Sequence, residues 1–168
     1  MYDTPIGEMK RNIIRTSDRA SDRASPVEAR AARLLGVREP EAGYSLQSLV
    51  GAVQRHLTYA DLERFRKSLA QSRAQFAELI DVSERTLARY ATDTARPVDP
   101  AIAERALRLA RIQALAESVL EDESAGRAWL ATPQPGLGGK VPNTLLRSEF
   151  GAREVETLLN QIEHGVYP

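Results

Sequence analysis

The sequence predicts an all-α protein, and three observations carry that reading. From position 45 onward apolar residues recur at three- and four-residue intervals. A serine, threonine or aspartate precedes most of these runs, where a helix N-terminus needs a cap. No run of alternating β-branched residues marks a strand. The expected organisation is a flexible N-terminal segment with one short helix over 1–43, a helix-turn-helix region with a connector helix over 44–121, and a small helical C-terminal module over 122–168.

Each element has its own local warrant. Residues Met1 to Ala24 are polar and contain the repeat Ser17-Asp18-Arg19-Ala20, Ser21-Asp22-Arg23-Ala24, with nothing to bury. Ser25-Pro26-Val27-Glu28 then reads as a capping box with proline in the first turn, and Gly36 stops that helix. Leu46, Leu49, Val50, Val53 and Leu57 form one stripe, and Thr58 caps a helix carrying Leu62, Phe65 and Leu69. Asp99-Pro100 begins a long helix through Ile102, Ala106, Leu109, Ile112, Ala116 and Val119, the natural connector between the halves, which stops near Glu121-Asp122. Asp122 caps a short helix containing Trp129 and Leu130, ended by Thr132-Pro133. Pro142 opens a helix with Leu145, Leu146 and Phe150, and a last helix over Ala152 to Glu163 ends at Gly165.

Composition narrows the functional classes. With 168 residues and 42% apolar content the chain can form one domain or two small ones. The absence of cysteine excludes disulfides, thiolate catalysis and cysteine-ligated zinc, and His56 and His164 lie in separate segments. No nucleophile, metal or carboxylate constellation emerges, so neither an enzyme nor a cofactor is expected. No apolar run is long enough for a bilayer, and no signal-peptide pattern is present, so a cytoplasmic protein without a membrane partner is expected. The net charge is zero, but unevenly spread: Arg55 to Leu115 holds eleven basic and eight acidic side chains, a net of +3, and Ala116 onward holds four and eight, a net of −4.

Between Arg73 and Thr92, Phe76, Ile80, Val82, Leu87 and Tyr90 fit two helices crossing at a tight turn, with small Ala77 at the contact. Ser72 with Gln75 boxes the first helix, Ser83 caps the second, and Asp81 stands at the turn in place of glycine. Ser83, Glu84, Arg85, Ala88, Arg89 and Thr92 then face outward to meet base edges in a major groove, and Arg73 meets a phosphate. The same residues also fit the solvated faces of two core helices. The modest local charge makes DNA binding depend on a dimer and fall with salt.

In the C-terminal module, Pro133-Gln134-Pro135-Gly136-Leu137-Gly138-Gly139-Lys140 invites a phosphate-loop reading. It lacks the first glycine and the Ser or Thr after the lysine, and it follows a helix, so a sharp turn between helices is the better account. Val166-Tyr167-Pro168 is an apolar tip beyond a helix end and fits either a frayed terminus or a binding tip.

The pattern W-L-x-x-P-x-P-x-L-G-G-x-x-P over Trp129 to Pro142, followed by G-A-x-x-V-E-x-L-L-x-x-I-E-x-G-V over Gly151 to Val166, resembles the Xre/MbcA/ParS family of type II antitoxins. Arg85-Thr86-Leu87 and the Arg105 to Arg111 stretch also look like that family. The resemblance covers Tyr44 to Tyr167. It implies an Xre-type helix-turn-helix that binds the operon's own promoter DNA and a C-terminal domain that binds a RES-domain toxin, an enzyme consuming NAD. It also implies a homodimer and a higher hetero-oligomer with the toxin. By the resemblance Trp129, Leu137, Gly138, Gly139 and Pro142 are architecture and Gly165, Val166 and Tyr167 are part of the inhibitory surface; the acidic charge adds Glu154 and Glu163, and the apolar tip adds Pro168, to the expected toxin-binding surface. Val141 departs from the family, where a capping threonine is common. A plain helix-turn-helix regulator whose C-terminal module only dimerises or binds a ligand is the alternative. Under the antitoxin reading, the acidic module is steered towards the positive cleft of a toxin that binds an anionic dinucleotide.

Overall fold

The computed structural model describes residues 25–37 and 46–166. The expectations for Met1 to Ala24, and for Tyr167 and Pro168, lie outside them. The described residues form nine α-helices and one 3₁₀ turn, with two isolated bridges, Thr58 to Pro97 and Gln134 to Lys140, as their only β pairing. The all-α class read from the sequence is therefore the observed one.

The helices are α1 (Pro26–Leu34), α2 (Leu46–His56), α3 (Tyr59–Ser68), α4 (Arg73–Leu79), α5 (Glu84–Tyr90), α6 (Pro100–Val119), α7 (Glu123–Ala131), α8 (Pro142–Leu145) and α9 (Glu149–Glu163). The expected caps are made. Capping boxes close Ser25 with Glu28, Thr58 with Asp61, and Ser72 with Gln75, while Ser83, Asp99 and Asp122 each accept an amide of the turn they open. Each such cap contributes about 1 kcal/mol.

The 20-residue helix α6 organises the molecule. Ile102, Ala103, Ala106, Leu107, Leu109, Ala110, Ile112, Ala114, Leu115 and Ala116 are all buried, because α1, α2, α7 and α9 pack around it. A helix apolar on so many sides is a core helix. α7 crosses it at Gly126, where a Cβ would sit 2.9 Å from the Glu117 nitrogen and 3.1 Å from the Ala116 carbonyl carbon, so only glycine allows that approach. α1 docks on the same region. Arg30 reaches Glu117 of α6 at 2.8 Å and Glu123 of α7 at 2.7 Å, and Gln113 donates to the buried Glu117 at 3.0 Å.

One expected boundary moves. The helix opened by Pro142 runs a single turn to Leu145 and does not reach Phe150. Val141 offers no side-chain cap at its start, and Ser148 accepts the Gly151 amide at 3.0 Å, starting α9 at Glu149 instead of Ala152. Leu146 is buried as expected, but Phe150 is transferred to the first turn of α9 and stands 73% exposed. Trp129 is half-buried against the core.

Candidate functional site

The first candidate face is built on α4 and α5. Phe76, Ala77, Ile80, Leu87 and Tyr90 are buried, and Phe76 meets Phe65 of α3 edge-on, centroids 5.9 Å apart and planes at 87°. Asp81 occupies the left-handed region at φ 50°. Its amide reaches the Glu78 carbonyl at 3.1 Å, and Val82 reaches back to the Ala77 carbonyl at 2.9 Å, so the turn ends α4 in a Schellman arrangement. Arg105 of α6 donates to the Asp81 carbonyl at 2.7 Å, fastening the turn to the central helix.

This packing leaves Ser83, Glu84, Arg85, Ala88, Arg89 and Thr92 all exposed. Glu84, Arg85, Ala88, Arg89 and Thr92 share one stripe at helical spacing. Ser83 is committed to Thr86, accepting its amide at 3.1 Å, and the Thr92 hydroxyl donates to the Arg89 carbonyl at 2.8 Å. Arg89 and Arg96 flank the Tyr90 ring at 5.8 and 6.0 Å, and the Tyr90 hydroxyl accepts the Asp99 amide at 3.1 Å. Arg73 stands exposed at the start of α4, 3.9 Å from Glu63. The Arg66 guanidinium holds the Glu63 carboxyl below its ordinary range, against the opposing effect of burial, and pairs with it at 3.0 Å.

The second face belongs to α7, α8, α9 and their loop. Gln134, which is buried, closes that loop: its amide and carbonyl bond Lys140 and Gly139, each at 3.0 Å, while its side chain donates to Trp129 at 2.9 Å and Thr132 at 3.1 Å. The amides of Leu137, Gly138, Gly139 and Lys140 all point back to carbonyls of the loop itself. A phosphate loop needs those amides free, so this one is a structural turn.

At the far end of α9, Gly165 at φ 68° lets its amide reach Ile162 at 3.2 Å and the Val166 amide reach Gln161 at 2.9 Å. This second Schellman stop fixes the backbone through Val166, whose side chain is 65% exposed instead of folding onto the helix. Glu154 and Glu163 are both exposed, without an ion pair among the described residues, but nine positions at about 100° each set them on opposite sides of α9. Glu154 therefore shares a face with the 3₁₀ turn, and Glu163 does not. The two candidate faces are tied together by α6 and by Arg147, which bonds Glu78 of α4 at 3.0 Å.

Four contributors escaped sequence reasoning. Arg105 and Arg147 act across 24 and 69 positions, which no local pattern reveals. Gln134 was legible only as a departure from a phosphate loop. Phe150 looked like core because it follows Leu146 at a four-residue interval.

Residues 48–111 match the Antitoxin Xre-like helix-turn-helix domain, and residues 115–165 match the Antitoxin Xre/MbcA/ParS C-terminal toxin-binding domain. The chain is similar to Antitoxin Xre of Yersinia enterocolitica, 33% identical over 96 residues, which make up 56% of this chain and 64% of that protein. It is also similar to Prs ADP-ribosylating antitoxin of a Sphingobium species, 27% identical over 127 residues, 70% of this chain and 79% of that protein. Antitoxin Xre of Pseudomonas putida is 34% identical over 62 residues, 37% of this chain and 39% of that protein. The matched region thus spans less than two thirds of the Yersinia relative's length.

Proposed function

This chain belongs to the Xre/MbcA/ParS family of antitoxins, and on that premise we propose that it neutralises a NAD-consuming RES-domain toxin by blocking its active site and represses its own operon by binding promoter DNA. The observation that carries this reading is the presence, in one chain, of an exposed Arg85/Arg89 stripe on α5 and a C-terminal module whose last helix stops at an exposed Val166. The name of the Sphingobium relative describes ADP-ribosylation, chemistry that draws on an ADP-ribose donor such as NAD and so accords with a toxin of this class.

In this proposal Arg85 and Arg89 read base edges, while Arg73 and the capped N-terminus of α4 meet phosphate. A homodimer supplies two recognition helices, about 34 Å apart, to a two-part operator. Gly165, Val166, Tyr167 and Pro168 close the toxin's active site, Glu154 makes contact at short range, and Glu163 adds to the acidic field that draws the toxin in. The toxin and the chain then form a larger hetero-oligomer.

Co-purification with the product of the adjacent gene, followed by assay of NAD consumption by that product with and without this chain, tests the reading. A stable complex with suppressed NAD consumption is the expected result. No complex, or a complex that leaves consumption unchanged, returns the chain to a helix-turn-helix regulator whose C-terminal module serves dimerisation or a ligand.

A further inference from the structure

Two large apolar side chains stand open to solvent among the described residues, Phe150 at 73% and Val166 at 65%, at opposite ends of α9. Phe150 does not stand on a flat surface. It borders an open cleft of about 640 Å³ between α9 and the 3₁₀ turn, lined also by Leu137, Gly138, Lys140, Glu154 and Gln161. At 3.6 residues per turn, Phe150, Glu154, Thr157 and Gln161 fall on one face of the helix, so the cleft runs along α9 towards its C-terminal stop.

The walls suit another chain. A Cβ on Gly138 would meet nothing within 4 Å, so the turn presents bare backbone to the cleft that a partner can approach closely. Glu154 has no ion pair among the described residues, whereas neighbouring Arg153 is tied to Glu149 at 3.3 Å. Lys140 and Arg153 also line the cleft, but neither pairs with Glu154, so an aromatic ring beside this unpaired carboxylate suits an apolar group flanked by a cation.

Phe150 lies sixteen positions before Val166 along a helix rising 1.5 Å per residue, about 24 Å away, so the two ends of α9 are separate contacts. The cleft lies within the span that matches the toxin-binding domain, residues 115–165, in the half of the chain with net charge −4.

We propose that this cleft anchors the toxin: Phe150 inserts against an apolar side chain of the toxin, next to a lysine or arginine that pairs with Glu154. The proposal rests on the antitoxin reading and adds to it a second contact, separate from the Val166 end. An exposed ring at the mouth of a cleft with charged side chains beside it suits an interface in which a single side chain carries much of the binding. The tail then only has to cover the active site, while the cleft supplies the holding contact.

The test uses the full chain and the RES-domain protein encoded beside it, with affinity measured by calorimetry for wild type, Phe150→Ala, Glu154→Arg and Glu121→Arg. Phe150→Ala and Glu154→Arg are each expected to weaken the complex about thirty-fold, and Glu121→Arg, exposed at the end of α6 and lining no part of the cleft, by less than about three-fold. Far-ultraviolet circular dichroism and operator binding should be unchanged in all three variants. The proposal is overturned if the first two variants bind within about three-fold of wild type. It is also overturned if Phe150→Ala lowers the mass of the free chain in light scattering, which would assign the cleft to a second copy of this protein. If the wild-type chain itself does not bind the RES-domain protein, the antitoxin reading fails first, and that result is distinct from either of the others.

Discussion

Asp81 shows how much one backbone conformation matters. Its φ of 50° is unfavourable for a residue with a Cβ, and the Arg105 contact to its carbonyl at 2.7 Å offsets part of that cost. Asp81→Gly keeps the carbonyl and removes the strain, so it is expected to stabilise the protein by about 1 kcal/mol, seen as a rise of roughly 3 °C in melting temperature; a fall would show that the Asp81 side chain matters more than its backbone. Glu63 gives a pH signature. A carboxyl held below its ordinary 4.5 by Arg66 contributes stability that is complete above that value and is lost as pH falls through its lower folded-state pKa. In Glu63→Gln the stability should therefore depend less steeply on pH below 4.5 than in wild type. Urea midpoints across that range measure the difference, and parallel curves would contradict it.

Among the elements, α7 is the most constrained by its neighbour. Gly126→Ala pushes a methyl into the backbone of α6, and after allowing for alanine's better helix propensity it should cost about 2 kcal/mol in chemical denaturation; an unchanged midpoint would mean that the helices separate freely. The functional elements should come apart by mutation. Arg85→Ala with Arg89→Ala is expected to abolish operator binding in a gel-shift assay and leave neutralisation intact. Deletion from Gly165 onward is expected to do the reverse, and a deletion that still rescued toxin-expressing cells would remove the tail from the mechanism. The sequence made most elements legible because their signals are local: Ser25, Thr58, Ser72, Ser83, Asp99 and Asp122 each cap within three positions. It misplaced the α8–α9 break because the helical spacing of Leu145, Leu146 and Phe150 does not announce that Ser148 will interrupt it. The Arg105 contact stayed hidden because its partner Asp81 lies 24 positions away and is chosen by tertiary packing.

In the whole molecule, α1 lies outside both matched spans yet is fastened to the centre. Removing Arg30 leaves Glu117, whose side chain is 7% exposed, with Gln113 as its remaining side-chain donor. Arg30→Ala should therefore cost about 2 kcal/mol, less than a fully buried pair because Arg30 is itself 29% exposed. Thermal unfolding of the full chain measures this, and a shift below 1 °C would reduce α1 to a surface attachment. The sharing of α6 by both candidate faces also bears on how such proteins diversify. Recombination that exchanged C-terminal halves between paralogues would bring together unmatched sides of a single core, and most such chimaeras would be lost to misfolding. A lineage acquiring a new partner is therefore steered towards point changes in solvent-facing residues, with the seam along α6 inherited intact.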